Sequence, residues 1–180
     1  IRWGQQVRPL LIYLPDTRKE FYRIDLMEPV IASNPDLDFI VVADQTHALG
    51  LYPNVESLGW VADMRPLYDR AGCVLRVTTH DGLPRMLMEA LLRGLYAIYS
   101  WPLEGCWQAR TAEEIRSALA RYREQREPNV CGRDAVLEML RSRPDERMSG
   151  VLANASVALP RRAHALSLAV RTKVFPAQFR

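Results

Sequence analysis

Apolar residues in the first two-thirds of the chain form short continuous runs that alternate with stretches of helical spacing. Such runs predict buried strands of a parallel sheet, because a sheet covered on both faces needs apolar side chains at successive positions. The predicted strands are 10–14, 39–43, 55–59, 73–77, 96–100 and, with a weaker pattern, 106–109. The alternation of strands and helices predicts right-handed βαβ units, and therefore a Rossmann-like α/β domain with helices on both faces of a parallel sheet.

Capping residues and a proline predict where two of the helices begin or bend. Thr17 with Glu20, and Thr111 with Glu114, each fit a capping box that opens a helix. Pro29 lies within the helical spacing that follows the first of these boxes, so we expect a kink or an early end there.

The pattern weakens toward the end of the chain. Residues 134–141 still predict a helix, and 151–170 are expected to hold one helix before Pro160 and another after it. The polar residues within this last stretch make it unsuitable to span a bilayer. We therefore expect a Rossmann-like domain over residues 1–145 and a helical tail over 146–180.

Composition narrows the classes of function. Hydrophobic residues make up 48% and charged residues 25% of the sequence, as in ordinary globular proteins. The net charge of +3 favours a phosphorylated ligand or an anionic membrane surface without requiring either. Basic blocks with interleaved aromatic residues are absent, which argues against nucleic-acid binding. Three widely spaced cysteines predict free thiols rather than a zinc site or a disulfide framework.

The segment after the fourth predicted strand carries the candidate chemistry, since ligands of open parallel sheets bind beyond the carboxyl ends of the strands. Asp81 precedes the turn Gly82-Leu83-Pro84, and Glu89 lies eight residues after Asp81 in the next helix. Gly82 would permit a tight turn and close approach of a ligand. The N–H groups at the helix start would form an anion site. The alternative is that Asp81 merely caps the helix and Glu89 is a surface residue.

The segment from Asp81 to Glu89 resembles a motif of the family-four retaining glycosyltransferases, in which two glutamates are separated by seven residues. Residues 54–61 and 64–71 are similar to this family's segment near the nucleotide base and to the helix after it, and the likeness covers about residues 9–125. It implies one half of a GT-B fold, in which two Rossmann-like domains enclose the active site. This chain would be the nucleotide-sugar-binding half, and the N-terminal acceptor domain would be missing from it.

The resemblance also implies roles for residues of the motif. Glu89 would hydrogen-bond the ribose of the nucleotide, and Asp81 would contact hydroxyls of the donor sugar. The backbone N–H groups of Gly82, of Leu83 and beside Pro84 would hold the diphosphate. No metal or other cofactor is implied.

Outside the motif, the resemblance implies further ligand contacts. Lys19 corresponds to a lysine that neutralises phosphate charge, with Arg18 as a substitute, although a solvated helix lysine is the simpler interpretation. Trp60 and Val61 lie in the segment near the base, where Trp60 is either a lid or a packing residue. His80 is expected to be a loop residue beside the site rather than a base.

Three departures from the family pattern leave alternatives open. The first acid is Asp81 rather than glutamate, Leu14-Pro15-Asp16 replaces an arginine after the first strand, and Glu20 replaces a glycine. These changes also fit a degenerate, non-catalytic GT-B domain with an assembly or regulatory role. A GT-B nucleotide-sugar epimerase is a third hypothesis. A dinucleotide oxidoreductase is disfavoured, because no G-x-G-x-x-G follows the first strand.

The sequence thus predicts sugar transfer from a nucleotide-diphosphate sugar, with retained anomeric configuration. This chain is expected to bind the donor weakly and to transfer nothing without the other domain. A cytoplasmic location is expected, with peripheral contact at the inner face of the membrane and a lipid-linked acceptor as an option.

Overall fold

The computed structural model describes residues 6–142 as one α/β unit. Six strands form a sheet in the spatial order β3-β2-β1-β4-β5-β6, and every neighbouring pair is parallel. The strands are β1 (Leu10–Tyr13), β2 (Phe39–Val42), β3 (Val55–Leu58), β4 (Cys73–Arg76), β5 (Tyr96–Tyr99) and β6 (Trp107–Gln108). This strand order is that of a Rossmann fold and confirms the predicted α/β class. The proposed boundary at residue 145 and the helices expected in 146–180 lie outside the described residues.

Helices cover both faces of the sheet, which explains the continuous apolar runs. The five helices are α1 (Ile24–Ala32), α2 (Arg65–Arg70), α3 (Arg85–Leu92), α4 (Ala112–Arg123) and α5 (Val130–Ser142). Leu10 and Ile12 of β1 belong to the core shared with α1 and α4, whereas Leu11 belongs to the core shared with α2, α3 and α5. Successive side chains of a strand point to opposite faces, so a central strand that is covered on both faces, such as β1, must be apolar at successive positions.

The first helix does not begin where its sequence predicted. Thr17 lies in a short 3-10 turn over Asp16–Arg18 without a capping hydrogen bond, and α1 starts at Ile24 after Arg23, whose φ is 53°. The predicted capping box at Thr17 is therefore wrong. The carboxylate of Asp16 instead accepts hydrogen bonds from the N–H groups of Gln45 and Thr46, which ties this segment to the loop after β2.

The predictions for α4, for Pro29 and for the cysteines have mixed outcomes. Thr111 and Glu114 form both hydrogen bonds of a capping box at the start of α4, as predicted. Gly94 follows the end of α3 with a φ of +78°. The helix α1 continues beyond Pro29 to Ala32, so the proline does not end it. The three cysteines are free thiols, as expected.

Candidate functional site

A cavity of about 560 Å³ opens at the carboxyl ends of β1 and β2, on the face that carries α2 and α3. The strand ends contribute Tyr13 and Val42, and residues 60–65, from the loop after β3 to the start of α2, form one wall. The opposite wall comes from α3. This is the edge of an open parallel sheet at which ligands are expected.

Glu89 forms part of the cavity wall although only 8% of its surface is exposed. The hydroxyl of Tyr68 donates to its Oε2 at 3.0 Å, and Nε of Arg85 donates to its Oε1 at 2.8 Å. Burial and the neighbouring carboxylate raise the pKa of Tyr68 far above its usual value, which keeps the hydroxyl a donor. The alternative of a solvated surface glutamate is therefore wrong, and contact with ribose stays a prediction.

Charged side chains surround Glu89 in the cavity wall. Arg93 is 8% exposed, its Cζ lies 4.9 Å from the centroid of the Tyr68 ring, and its Nη1 donates to the carbonyl oxygen of Glu89 at 3.2 Å. Arg65, Arg85 and Arg93 line the cavity together with the carboxylates Asp63 and Glu89. The excess of cationic groups favours an anionic ligand.

Asp81 lies outside the cavity wall and is paired with an arginine that sequence reasoning missed. Nε of Arg76, at the end of β4, donates to its Oδ2 at 2.7 Å, and the two side chains are 11% and 12% exposed. The guanidinium of Arg76 also lies over the ring of Tyr22, at 5.2 Å from its centroid. Helix α3 has Pro84 at its N-cap without a side-chain bond, so the alternative of Asp81 as a cap is wrong.

A side chain of β5 bonds the turn that follows Asp81. The hydroxyl of Tyr99 donates to the carbonyl oxygen of Gly82. Within residues 6–142, Gly94 and Gly105 are the glycines with positive φ, and a Cβ at Gly82 would meet no atom within 4 Å. A strained turn therefore does not require glycine here, contrary to the prediction. Close approach of a ligand to Gly82 stays a prediction.

The remaining residues of the predicted turn and its surroundings are more exposed. Leu83 is 40% exposed and lies between Gly82 and the start of α3. His80 is exposed, and its ring meets the ring of Phe21 edge-on at a centroid distance of 4.8 Å. The loop after β4 thus packs against the segment that precedes α1. His80 is a residue of this loop, as predicted.

Lys19 is bound by two carboxylates rather than solvated. Its Nζ lies 3.1 Å from Oδ1 of Asp44 and 3.3 Å from Oδ1 of Asp16, and it also contacts the hydroxyl of Thr46. Partial burial opposes its protonation, but the hydrogen bonds to Asp44 and Asp16 outweigh it and raise the pKa of Lys19. The solvated-lysine alternative is therefore wrong. Arg18 is exposed beside it, and a phosphate role for either residue stays a prediction.

Trp60 and Val61 both line the cavity, as their position near the predicted base implies. Trp60 is 72% exposed, so the alternative of a packing residue is wrong and a lid over the base stays a prediction.

Sequence reasoning missed Tyr68, Arg76, Arg85 and Arg93. Arg85 and Arg93 carried a usable signal, because each is four residues from Glu89 and residues four apart on a helix lie on one face.

Residues 6–142 offer neither a metal-binding cluster nor a membrane-spanning helix. They contain no group of three or more His, Cys, Asp or Glu side chains that could hold a metal ion. None of the helices in this range is long and apolar enough to cross a membrane.

Comparison with known proteins finds neither a matching family nor a matching curated protein, but it finds similar solved structures. HepE from Anabaena, solved in complex with UDP and glucose, is 15% identical with a TM-score of 0.60, over 83% of this chain and 49% of that chain. WaaG, a glycosyltransferase involved in lipopolysaccharide biosynthesis, is 16% identical with a TM-score of 0.57, over 83% and 46%.

A third similar structure is the C-terminal domain of LpcC, a group 1 family glycosyl transferase from Francisella tularensis. It is 16% identical with a TM-score of 0.54, over 73% of this chain and 85% of that domain. The chain thus spans about half the length of HepE and WaaG and most of the isolated LpcC domain. These likenesses confirm the predicted architecture, which is one half of a GT-B fold.

Proposed function

We propose that this chain is the nucleotide-sugar-binding half of a glycosyltransferase that transfers a sugar from a nucleotide-diphosphate donor with retained configuration. The observation that carries the proposal is the position of Glu89. It is a largely buried carboxylate in the wall of a cavity at the carboxyl edge of a Rossmann-type sheet. The similar structure of HepE contains UDP and glucose, which supports a ligand of this class.

The nucleoside end of the donor would occupy the cavity. Tyr68 and Arg85 hold the two oxygens of Glu89, which fixes a carboxylate that can accept hydrogen bonds from both ribose hydroxyls. The exposed indole of Trp60 would cover the base, and Val61 would form the wall beside it. Small-ligand sites are typically lined by apolar and aromatic side chains, with a few polar groups that orient the ligand.

The diphosphate and the sugar would lie beyond the cavity, toward the turn after β4. Backbone N–H groups of Gly82, of Leu83 and at the start of α3 would face the phosphates, with Lys19 and Arg18 as candidate cations. Asp81 would contact sugar hydroxyls with His80 at the border. In this mechanism the groups around the diphosphate stabilise the negative charge of the leaving group.

Transfer would require a second Rossmann-like domain that carries the acceptor site. We propose that this chain binds the donor and by itself transfers no sugar. A lipid-linked acceptor at the inner face of the membrane, reached by a cytoplasmic enzyme, is part of the same proposal.

Calorimetric titration with UDP, GDP and ADP tests the donor site. We expect one nucleotide to bind and Glu89→Gln to weaken it at least about tenfold, since a hydrogen bond to a charged group contributes about 1.5–3 kcal/mol. Glu28→Gln, on the exposed face of α1, is the matched control and should leave the affinity unchanged. Equal affinities for the wild type and Glu89→Gln would contradict the proposed site.

A degenerate domain with an assembly or regulatory role is the second candidate. The observation that favours it is that Asp16 and Asp44 already bind Lys19, which removes a charge that the diphosphate would use. Absence of binding by all three nucleotides at millimolar concentration would support this candidate over the donor site.

A further inference from the structure

A nucleoside diphosphate carries concentrated negative charge, so its site needs a cationic group that still has donor atoms for the phosphates and does not lie in a cluster of net negative charge. Lys19 does not meet this requirement, because Asp16 and Asp44 both lie within 3.3 Å of its Nζ. Two carboxylates exceed the charge of one ammonium group, so this cluster as a whole does not attract phosphate. Another residue must supply the charge if the proposed function holds.

Three arginines of the cavity wall are candidates, and their contacts differ. Arg65 forms two hydrogen bonds with the carboxylate of Asp63, through Nε and Nη2. Arg93 is buried against the ring of Tyr68 and bonds the backbone of α3. Both guanidinium groups are therefore committed to contacts within the protein.

Arg85 differs from Arg93 in exposure and from Arg65 in the atoms that it uses, because Arg65 engages its carboxylate through both Nε and Nη2. The side chain of Arg85 is 59% exposed, and it contacts Glu89 through Nε alone. No residue within 6–142 bonds its two terminal nitrogens. A guanidinium group presents a fork of donors that matches two phosphate oxygens at once.

We propose that Arg85 supplies the cationic contact to the phosphates of the bound nucleotide. This inference rests on the proposed function and names the residue that gives it diphosphate selectivity. Arg85 and Glu89 are four residues apart on α3, about 6 Å along the helix axis, so the pair spans adjoining parts of one ligand. Glu89 would bind the ribose while the terminal nitrogens of Arg85 bind the phosphates.

A ligand series separates a phosphate contact from mere support of Glu89. The probes are the nucleoside, the monophosphate and the diphosphate of uridine, guanosine and adenosine, titrated into the full chain and followed by NMR up to millimolar concentration. We expect Arg85→Met to weaken the best diphosphate at least about tenfold, and its nucleoside less than about twofold. Arg85→Lys, which keeps the charge but loses the fork, should give an intermediate loss for the diphosphate.

Two matched variants complete the test. Arg70→Met and Arg123→Met each remove an arginine that is paired with a carboxylate outside the cavity wall, and each should change diphosphate affinity less than about threefold. Lys19→Met tests the competing candidate cation. Equal losses for nucleoside and diphosphate in Arg85→Met would overturn the inference, as would a loss produced by Lys19→Met alone. If wild-type protein binds none of the nine probes, the proposed function fails, and the inference fails with it.

Discussion

At the scale of single residues, the ion pair formed by Arg76 and Asp81 lies where the donor sugar is proposed to bind, and it is largely enclosed by protein. Both side chains are nearly buried, and removal of one partner leaves the other charge without compensation. We expect Arg76→Met to lower the free energy of unfolding by about 2 kcal/mol, between the values typical of exposed and buried pairs. Urea denaturation measures this change.

The control for Arg76 is an ion pair of the same residue types at the surface. Arg70 and Glu56 have side chains that are 49% and 43% exposed. Arg70→Met should therefore lower the free energy of unfolding by less than about 1 kcal/mol. Equal effects of the two substitutions would show that burial of the Arg76 pair does not matter to stability.

Asp16 makes the stability of the folded state depend on pH in the acid range. Partial desolvation raises the pKa of Asp16, but hydrogen bonds from Thr46, Gln45 and Lys19 outweigh it and lower that pKa to about 2. A pKa lower in the folded than in the unfolded state means that the stabilisation is present above about pH 4. It is then lost as the pH falls toward about 2.

NMR titration of side-chain carboxyl carbons tests this assignment. The resonance of Asp16 should titrate with a midpoint near 2 in the wild type and with a higher midpoint in Thr46→Val, which removes one donor. A wild-type midpoint near the ordinary value of about 3.9 would contradict the hydrogen-bond network around this residue.

The contrast between predicted and missed site residues has a physical cause. Asp81 and Glu89 were found because their spacing around a turn is a local property of the sequence. Tyr68 was missed, because only the packing of α2 against α3 brings it to Glu89. Arg76 was missed, because the conformation of the loop after β4 turns Asp81 back to it from five residues away. Local patterns predict which residues are charged or flexible, whereas tertiary contacts decide which of them are neutralised.

At the scale of elements, the two predicted capping boxes test how much local sequence controls helix starts. Thr111 accepts a hydrogen bond from the N–H of Glu114 at 3.2 Å, whereas Thr17 makes no capping bond. We expect Thr111→Ala to lower the free energy of unfolding by about 1 kcal/mol and Thr17→Ala to have almost no effect. Thermal denaturation of both variants checks this, and similar losses would contradict the assigned helix starts.

The four central strands were predictable from the sequence because each is a mostly apolar run, whereas the edge strands β3 and β6 carried a weaker pattern. The start of α1 was not predictable, because Asp16 bonds to the loop after β2, which is distant in sequence. The residues before α1 therefore follow a tertiary contact instead of their own capping pattern. Such a segment at the carboxyl edge of the sheet is well placed to border a ligand.

At the scale of the whole molecule, the fold is one half of a two-domain architecture, and the chain spans about half the length of HepE and WaaG. Under the proposed function, the donor would lie between this unit and a second domain, so the described unit would supply one wall of the site. Such an arrangement would account for Trp60, which lines the cavity and is 72% exposed.

The central claim is that this cavity binds a nucleotide, and the indole N–H of Trp60 reports on it most directly. In two-dimensional ¹H–¹⁵N NMR spectra, titration with UDP, GDP or ADP should shift the Trp60 indole signal in a saturable manner. The indole signal of Trp107, which is stacked on Tyr96 at the far edge of the sheet, should stay in place. Saturable binding that leaves the Trp60 signal unmoved, or no binding at all, would contradict the account.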